Sequence, residues 1–251
     1  MKISTRLENV FSIAVAMDNR GLKNTIHCVG TSIYIINFDH SMILRFRLRK
    51  SEVAFKDNIS FNANDYDSSY FEVKEGKIIF KTNSDNYERS KTCGMADYDI
   101  KNIQKTYREH FKQGDNPEFS FHLSSECCEL LDDNLSHTEI SIEKGKLILR
   151  QRNIYAGTIV EVSPKKAGMF DSGNLPESFG PVGLKTRDFL SLFTFYKSLA
   201  FIPVNNLIIV KDIKKDFDGI LAFCKYDEII NLRPEGEEEN GRKKQKVRRS
   251  K

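Results

Sequence analysis

The sequence predicts an α+β protein of two similar domains, each a duplicated unit of a helix followed by β-strands. Three observations predict it. A ten-residue template occurs twice, as FEVKEGKIIF at 71–80 and ISIEKGKLIL at 140–149. Stretches with apolar residues at helical spacing precede three of four hairpin-like segments. A Gly114-Asp115-Asn116-Pro117 break falls near the middle of the 251 residues.

The template reads apolar, polar, apolar, two polar, Gly-Lys, then an apolar run. Such alternation marks a strand with one buried face, and the glycine supplies the positive φ of a tight hairpin turn. Weaker copies are TIHCVGTSIYII at 25–36 and NLIIVKDIKKDFDGILAF at 206–223. In the first unit Ile3, Leu7, Val10, Ala14 and Met17 recur at helical spacing, with Gly21 just past the end. The second unit differs, because residues 62–69 are short, polar and rich in Asp and Asn, which predicts a loop or a single turn. In the third unit Leu123, Cys127, Leu130, Leu131 and Leu135 form a helical stripe. The fourth has Phe189, Leu192, Phe193, Tyr196, Leu199 and Ala200, with Pro203 beyond the last turn. Further strands are expected at 41–49, 87–95, 157–162 and 221–232. Between the halves, Ile100, Ile103, Tyr107 and Phe111 fit one face of a helix or the anchors of an extended connector, and the sequence leaves both open. The expected division is residues 1–96 (first domain, reduced second half-unit), 97–117 (connector), 118–233 (second domain) and 234–251 (tail).

Composition narrows the function classes. With 39% apolar residues, no stretch reaches the roughly 18 apolar residues of a membrane span. The Val10–Met17 segment is short and preceded by Glu8 and Asn9, unlike a secretory signal. Five cysteines without Cys-x-x-Cys spacing offer no disulfide framework, so a soluble intracellular protein is expected. The formal charge of +4 is concentrated at one end: residues 234–251 hold seven Lys/Arg and four Glu, leaving 32 basic against 31 acidic residues in the body. A neutral body does not hold nucleic acid tightly by counterion release alone. The tail lacks apolar periodicity and is expected to be disordered. Its basic run, Lys243, Lys244, Lys246, Arg248 and Arg249, fits a nuclear import signal or a solubilising extension. The nucleus is the expected compartment.

The sequence shows no catalytic constellation, cofactor motif or metal site. Both Gly-Lys pairs sit in hairpin turns rather than in a phosphate loop, and the five histidines have no metal-ligand spacing. Cys127 and Cys128 read as packing residues. His122 and His137 flank the third predicted helix and read as surface or cap positions. Glu126, Glu129 and Asp132 read as one solvated polar face of that helix.

Two domains of duplicated helix-plus-strand units, joined by a connector of about 20 residues, resemble the sliding-clamp (PCNA-like) superfamily of DNA-encircling rings. Residues 184–235 are similar to the last helix and closing strands of eukaryotic clamps. Three segments resemble the Rad-nine-type subunit of the heterotrimeric checkpoint clamp. They are Leu184-Lys185-Thr186-Arg187-Asp188-Phe189, then Arg89-Ser90-Lys91-Thr92 followed by Tyr98, and the opening from Glu8 through Ser41 and Lys50 to Phe55.

The resemblance implies the DNA-clamp fold, with helices on the inner face and sheets outside. It also implies a non-catalytic subunit, without cofactor, of a ring that encloses double-stranded DNA and signals damage. The implied partners are two other clamp-like subunits and a clamp loader. Arg6, Arg187 and Lys197 would face DNA. A strand carrying Leu221, Phe223, Lys225 and Ile229 would form a subunit interface through its exposed edge, and Ile100, Ile103, Tyr107 and Phe111 would serve partner docking. The acidic third helix argues for a heterotrimer, because basic partners dilute a patch that a homotrimeric replication clamp would repeat three times. Alternatives from other classes are a nuclear scaffold or nucleic-acid-binding protein acting through its tail, and a nuclease.

Overall fold

The computed structural model describes residues 5–18, 23–48, 55–66, 70–75, 77–84, 87–94, 100–115, 117–153, 158–162, 170–172, 175–212 and 217–223. The first unit is helix α1 (Thr5–Met17) with strands β1 (Asn24–Gly30), β2 (Ser32–Asn37) and β3 (Met42–Arg47). The second is β4 (Phe55–Asn62), a three-residue 3-10 turn at Ala63–Asp65, then β5 (Tyr70–Lys74), β6 (Lys77–Ser84) and β7 (Tyr87–Gly94). Helix α2 (Ile100–Gln113) follows. The third unit is β8 (Phe121–Ser124), α3 (Ser125–Cys128), β9 (His137–Glu143), β10 (Lys146–Asn153) and β11 (Thr158–Val162). The fourth is β12 (Phe170–Ser172), β13 (Ser178–Lys185), α4 (Thr186–Phe193), β14 (Ser198–Val204), β15 (Leu207–Lys211) and β16 (Phe217–Ala222).

Nine strands form one sheet in the order β12-β8-β14-β15-β16-β3-β2-β1-β4. Two smaller sheets, β11-β10-β9-β13 and β5-β6-β7, complete the fold. The two halves meet inside the large sheet, where β16 pairs antiparallel with β3 and Gly219 stands opposite Leu44.

The template hairpins form as the alternation predicts, with Val73 opposite Ile78 in one and Ile142 opposite Leu147 in the other. Lys144 (φ 53°) and Gly145 (φ 71°) both occupy the left-handed region, as a two-residue hairpin turn requires.

Side-chain alternation sorts the large sheet into two faces. Ile33 and Ile35 of β2, Met42, Leu44 and Phe46 of β3, and Ile208 and Val210 of β15 join the main core. That core also takes Leu7, Phe11 and Met17 of α1, Phe189 and Leu192 of α4, and residues of both small sheets. Tyr34, Ile36, Ile43, Ile209 and Ile220 point the other way and are covered by Tyr107 and Phe111 of α2.

Four expectations are corrected. The third predicted helix stops after four residues, and Leu130 is 64% exposed. The Asp132 carboxylate accepts the backbone N–H of Asn134, and the Asp132 N–H donates to Gln151 Oε1 instead of continuing the helix. A hairpin does form within 206–223, as β15–β16, but α4 is followed first by the β14–β15 hairpin, turning at Asn205, so β16 is the closing strand of its unit. Leu221 therefore lies on no exposed edge: it is buried between Ile208 and Met42, in the strand that joins the halves. Phe223, just past β16, packs partly buried on the main core; Lys225 and Ile229 lie outside the described residues. Finally, Tyr107 and Phe111 are buried under α2 against the sheet, so they pack internally rather than offering a docking surface. Ile100 and Ile103 fall on the same helix.

Candidate nucleic-acid interface

The helix side of the sheet holds the residues expected to meet DNA. Helix α4 follows β13 directly: Thr186, Phe189 and Leu192 are buried, and Arg187 is exposed on the opposite side of the first turn. Lys197 is exposed in the turn after α4, where its carbonyl accepts the Ser125 N–H at 2.9 Å and ties the turn to α3. Arg6 falls on the first turn of α1, outside the part of the chain whose side chains are described. The structure does not bring Lys197 and Arg187 into one site.

Arg187 instead lines a cleft of about 440 Å³ between the halves. Its other cationic walls are Lys23, just before β1, and Lys185, at the end of β13. His137 and Phe38 complete them, and Phe38 is 78% exposed. Asp39, Asp133 and Asp188 bring negative charge to the same cleft. An exposed aromatic ring beside Lys and Arg is the combination on which a nucleobase stacks while its phosphates are neutralised. Lys23, Phe38, Lys185 and His137 were not among the DNA-facing residues expected from sequence. Phe38 carried a signal of its own, a bulky aromatic in a polar Asn-Phe-Asp-His turn where burial has no claim on it.

A buried polar cluster forms the floor. Asn37 Nδ2 donates to Ser41 Oγ at 2.8 Å and to Asp188 Oδ2 at 3.2 Å, and its Oδ1 accepts the Met42 N–H at 2.9 Å. Ser41 Oγ lies within hydrogen-bonding distance of Asp188 Oδ2 and of Asp39 Oδ1. One hydroxyl proton serves only one of two carboxylates. Burial pushes the Asp188 carboxyl above its ordinary value, against the Ser41 and Asn37 hydrogen bonds. Burial also acts to raise Asp39, but the Lys185 ammonium and Ser41 hold it below the usual range. Of the two carboxyls, Asp188 is thus the more readily protonated. This cluster ties the first unit to the fourth.

Among the described residues no group of three or more His, Cys, Asp or Glu side chains is placed to hold a metal ion. Cys127 and Cys128 are buried in the main core, and burial pushes the Cys127 thiol up to about 11. Among the described residues no helix is long and apolar enough to cross a membrane.

The fold recurs in solved structures. A putative DNA polymerase III beta subunit from Eubacterium rectale ATCC 33656 superposes with a TM-score of 0.56 at 9% identity, over 86% of this chain and 64% of that one. DNA polymerase III subunit beta from Borrelia burgdorferi gives 0.58 at 9% identity, over 86% and 62%. The proliferating cellular nuclear antigen of Entamoeba histolytica gives 0.52 at 12% identity, over 85% of this chain and 96% of that one. This is the sliding-clamp fold. The chain spans less than two thirds of the two bacterial clamps, but nearly the full length of the Entamoeba clamp. No family model and no curated protein matches the chain in sequence. At such identities the likeness is one of fold alone.

Proposed function

We propose that the chain is a non-catalytic subunit of a ring-shaped DNA clamp that acts in checkpoint signalling and repair, with two other clamp-like subunits completing the ring. The observation that carries this reading is the β3–β16 junction. The last strand of unit one pairs there with the last strand of unit four. By the internal repeat, the corresponding strands of units two and three are β7 and β11. Each is paired on one side only among the described residues, at the end of its small sheet. The same join made between chains, β7 to a neighbour's β11-like strand, pairs these two edges and closes a ring.

A ring holds DNA by topology, so the near-neutral body is no obstacle, and the Lys23, Lys185 and Arg187 cleft offers loose phosphate contacts. Exposed Glu126, Glu129 and Asp132 on the helix side favour more basic partners over three identical copies. The loader is the expected source of ring opening, and the basic tail supports nuclear import.

Affinity purification of the tagged chain from nuclei, followed by native mass determination, tests the reading. Two further clamp-like chains at 1:1:1 support it. Self-trimers move the assignment to a replication processivity clamp. A monomer that binds DNA only through residues 234–251 overturns both.

A further inference from the structure

Phe38 has no role in a ring that meets DNA through phosphates alone. A single exposed apolar side chain is ordinary, but Phe38 is 78% exposed on a fixed turn that lines the cleft between the halves. The turn is held by its backbone: the Phe38 N–H donates to the Lys23 carbonyl and the His40 N–H to the Asn37 carbonyl, both at 3.0 Å. The Ser41 N–H donates to Asp39 Oδ1 at 3.1 Å. The Asn37 side chain is tied in turn to Met42 and to Asp188. An aromatic side chain on a base held this way loses little conformational freedom when a ligand stacks on it.

The cleft, at about 440 Å³, falls within the roughly 300–1,000 Å³ of small-ligand sites. Its charge is mixed, with Lys23, Lys185 and Arg187 set among Asp39, Asp133 and Asp188. Asp39 pairs with Lys185. Asp188 is only 3% exposed, and its Oδ1 has no hydrogen-bond partner among the described residues. A purely anionic ligand meets carboxylates here, and a cationic side chain meets three cations. A nucleotide carries both complements at once. Its base offers a flat π-face and N–H donors along one edge, and its phosphate stands one sugar away.

We propose that the cleft receives one unpaired nucleotide, its base stacked on Phe38 with the donor edge turned into the cleft, and its phosphate beside Lys23. Base and phosphate of a single nucleotide need neighbouring partners, and the backbone hydrogen bond between Phe38 and Lys23 makes these two neighbours. Duplex DNA does not present this ligand, because its base faces are covered by stacking and extruding a base costs unstacking energy. An unpaired strand presents it, and so does a free nucleotide. The inference rests on the nucleic-acid reading of this cleft and not on ring closure.

The chain has no tryptophan, so Phe38→Trp places a single fluorescent reporter at the site, and a base stacking on the indole quenches it. The full-length variant is titrated with a 12-base single strand of DNA, with the same sequence as a duplex, with nucleoside 5′-monophosphates and with a Lys-rich peptide. The single strand is expected to quench at concentrations at least tenfold lower than the duplex. Monophosphates that quench as tightly as the strand assign the site to free nucleotides, and weaker ones assign it to an unpaired strand; both support the cleft as a base-binding site. Anisotropy with the labelled strand is expected to show binding about tenfold weaker in Phe38→Ala than in the parent chain, and severalfold weaker in Lys23→Gln. No quenching, equal affinity for strand and duplex, or a Phe38→Ala chain that binds like the parent overturns the proposal and leaves DNA binding to the basic tail. Tighter quenching by the Lys-rich peptide than by the strand reassigns the cleft to a protein partner and overturns it as well. A chain that passes these tests and forms no ring keeps this site and overturns the clamp reading alone.

Discussion

The two faces of the nine-stranded sheet are built from the same strands, yet they hold the halves of the chain together in different ways. On the helix side the junction is hydrocarbon: Met42, Leu44 and Phe46 of β3 and Phe217 and Leu221 of β16 lie in one continuous core. On the α2 side, the intervening residues of those strands are Ile43, Arg45 and Arg47 against Asp218 and Ile220. Apolar burial is non-directional and stabilises any register that keeps the oily face inward. Ion pairs on adjacent strands reward one register alone. The comparison teaches a division of labour, with stability on one face and alignment on the other.

The largest effect is expected on the hydrocarbon face. Phe217 is fully buried, with its ring 5.1 Å from Phe46 and 4.6 Å from Tyr196. Phe217→Ala should cost about 3–5 kcal/mol, through lost burial and the cavity left behind. Urea denaturation measures it, and a loss under 1 kcal/mol would show that the halves are not joined through this core.

Asp218→Ala should cost about 3 kcal/mol, because Arg45 stays mostly buried without its partner. The sharper comparison is the pair Asp218→Leu with Arg45→Met. If the ion pair serves alignment rather than stability, this double variant regains most of the lost stability while amide-exchange protection across β3 and β16 becomes less uniform. Stability that stays low in the double variant contradicts the division of labour.

The α2 face should also be the acid-sensitive one. His27 lies on it, fully buried, with Nδ1 2.8 Å from Ser60 Oγ and Nε2 3.0 Å from Thr25 Oγ1. Burial, with a smaller contribution from the His40 charge, pushes its pKa down to about 4. The unfolded chain then binds a proton that the native chain refuses, so this contribution to stability is complete above pH 6.5 and is lost as pH falls toward 4. The expected loss is about 2–3 kcal/mol over that window. His27→Gln should flatten the slope, seen as a difference from the parent that shrinks on acidification; a constant difference contradicts the assignment.

What the sequence revealed follows the range of the physics. Hairpins are legible because alternation and a turn glycine are local, as in 140–149, and so are α1 and the Phe189–Phe193 part of α4; Tyr196, Leu199 and Ala200 of the predicted fourth stripe fall instead in the following turn and in β14. The third helix was over-read, since side-chain capture of backbone groups by Asp132 and Gln151 leaves no mark on hydrophobic periodicity. The first hairpin of the fourth unit is missed because the tight turn at Asn205 is less conspicuous in sequence than the charged residues between Lys211 and Phe217. Nothing local announces that Arg45 will meet Asp218, 173 residues away. For the same reason the cleft was not visible: it gathers residues from units far apart in the chain.

The smallest expected effect probes how closely α2 is seated on its face. The backbone of Gly114, just past the helix, approaches Ile209 so nearly that an added Cβ would stand 2.6 Å from Ile209 Cδ1. Ile209 is fully buried on the α2 side, so the contact cannot be relieved toward solvent. The atom met is nevertheless the far end of a side chain, which another rotamer can move. Gly114→Ala should therefore cost about 1 kcal/mol, at the low end of overpacking. The change should be local: amide exchange should quicken along α2 and leave β3 and β16 as they were. Equal quickening in the junction strands would mean that α2 and the ion cluster form one cooperative unit, and that alignment of the halves depends on the helix as well as on the charges beneath it.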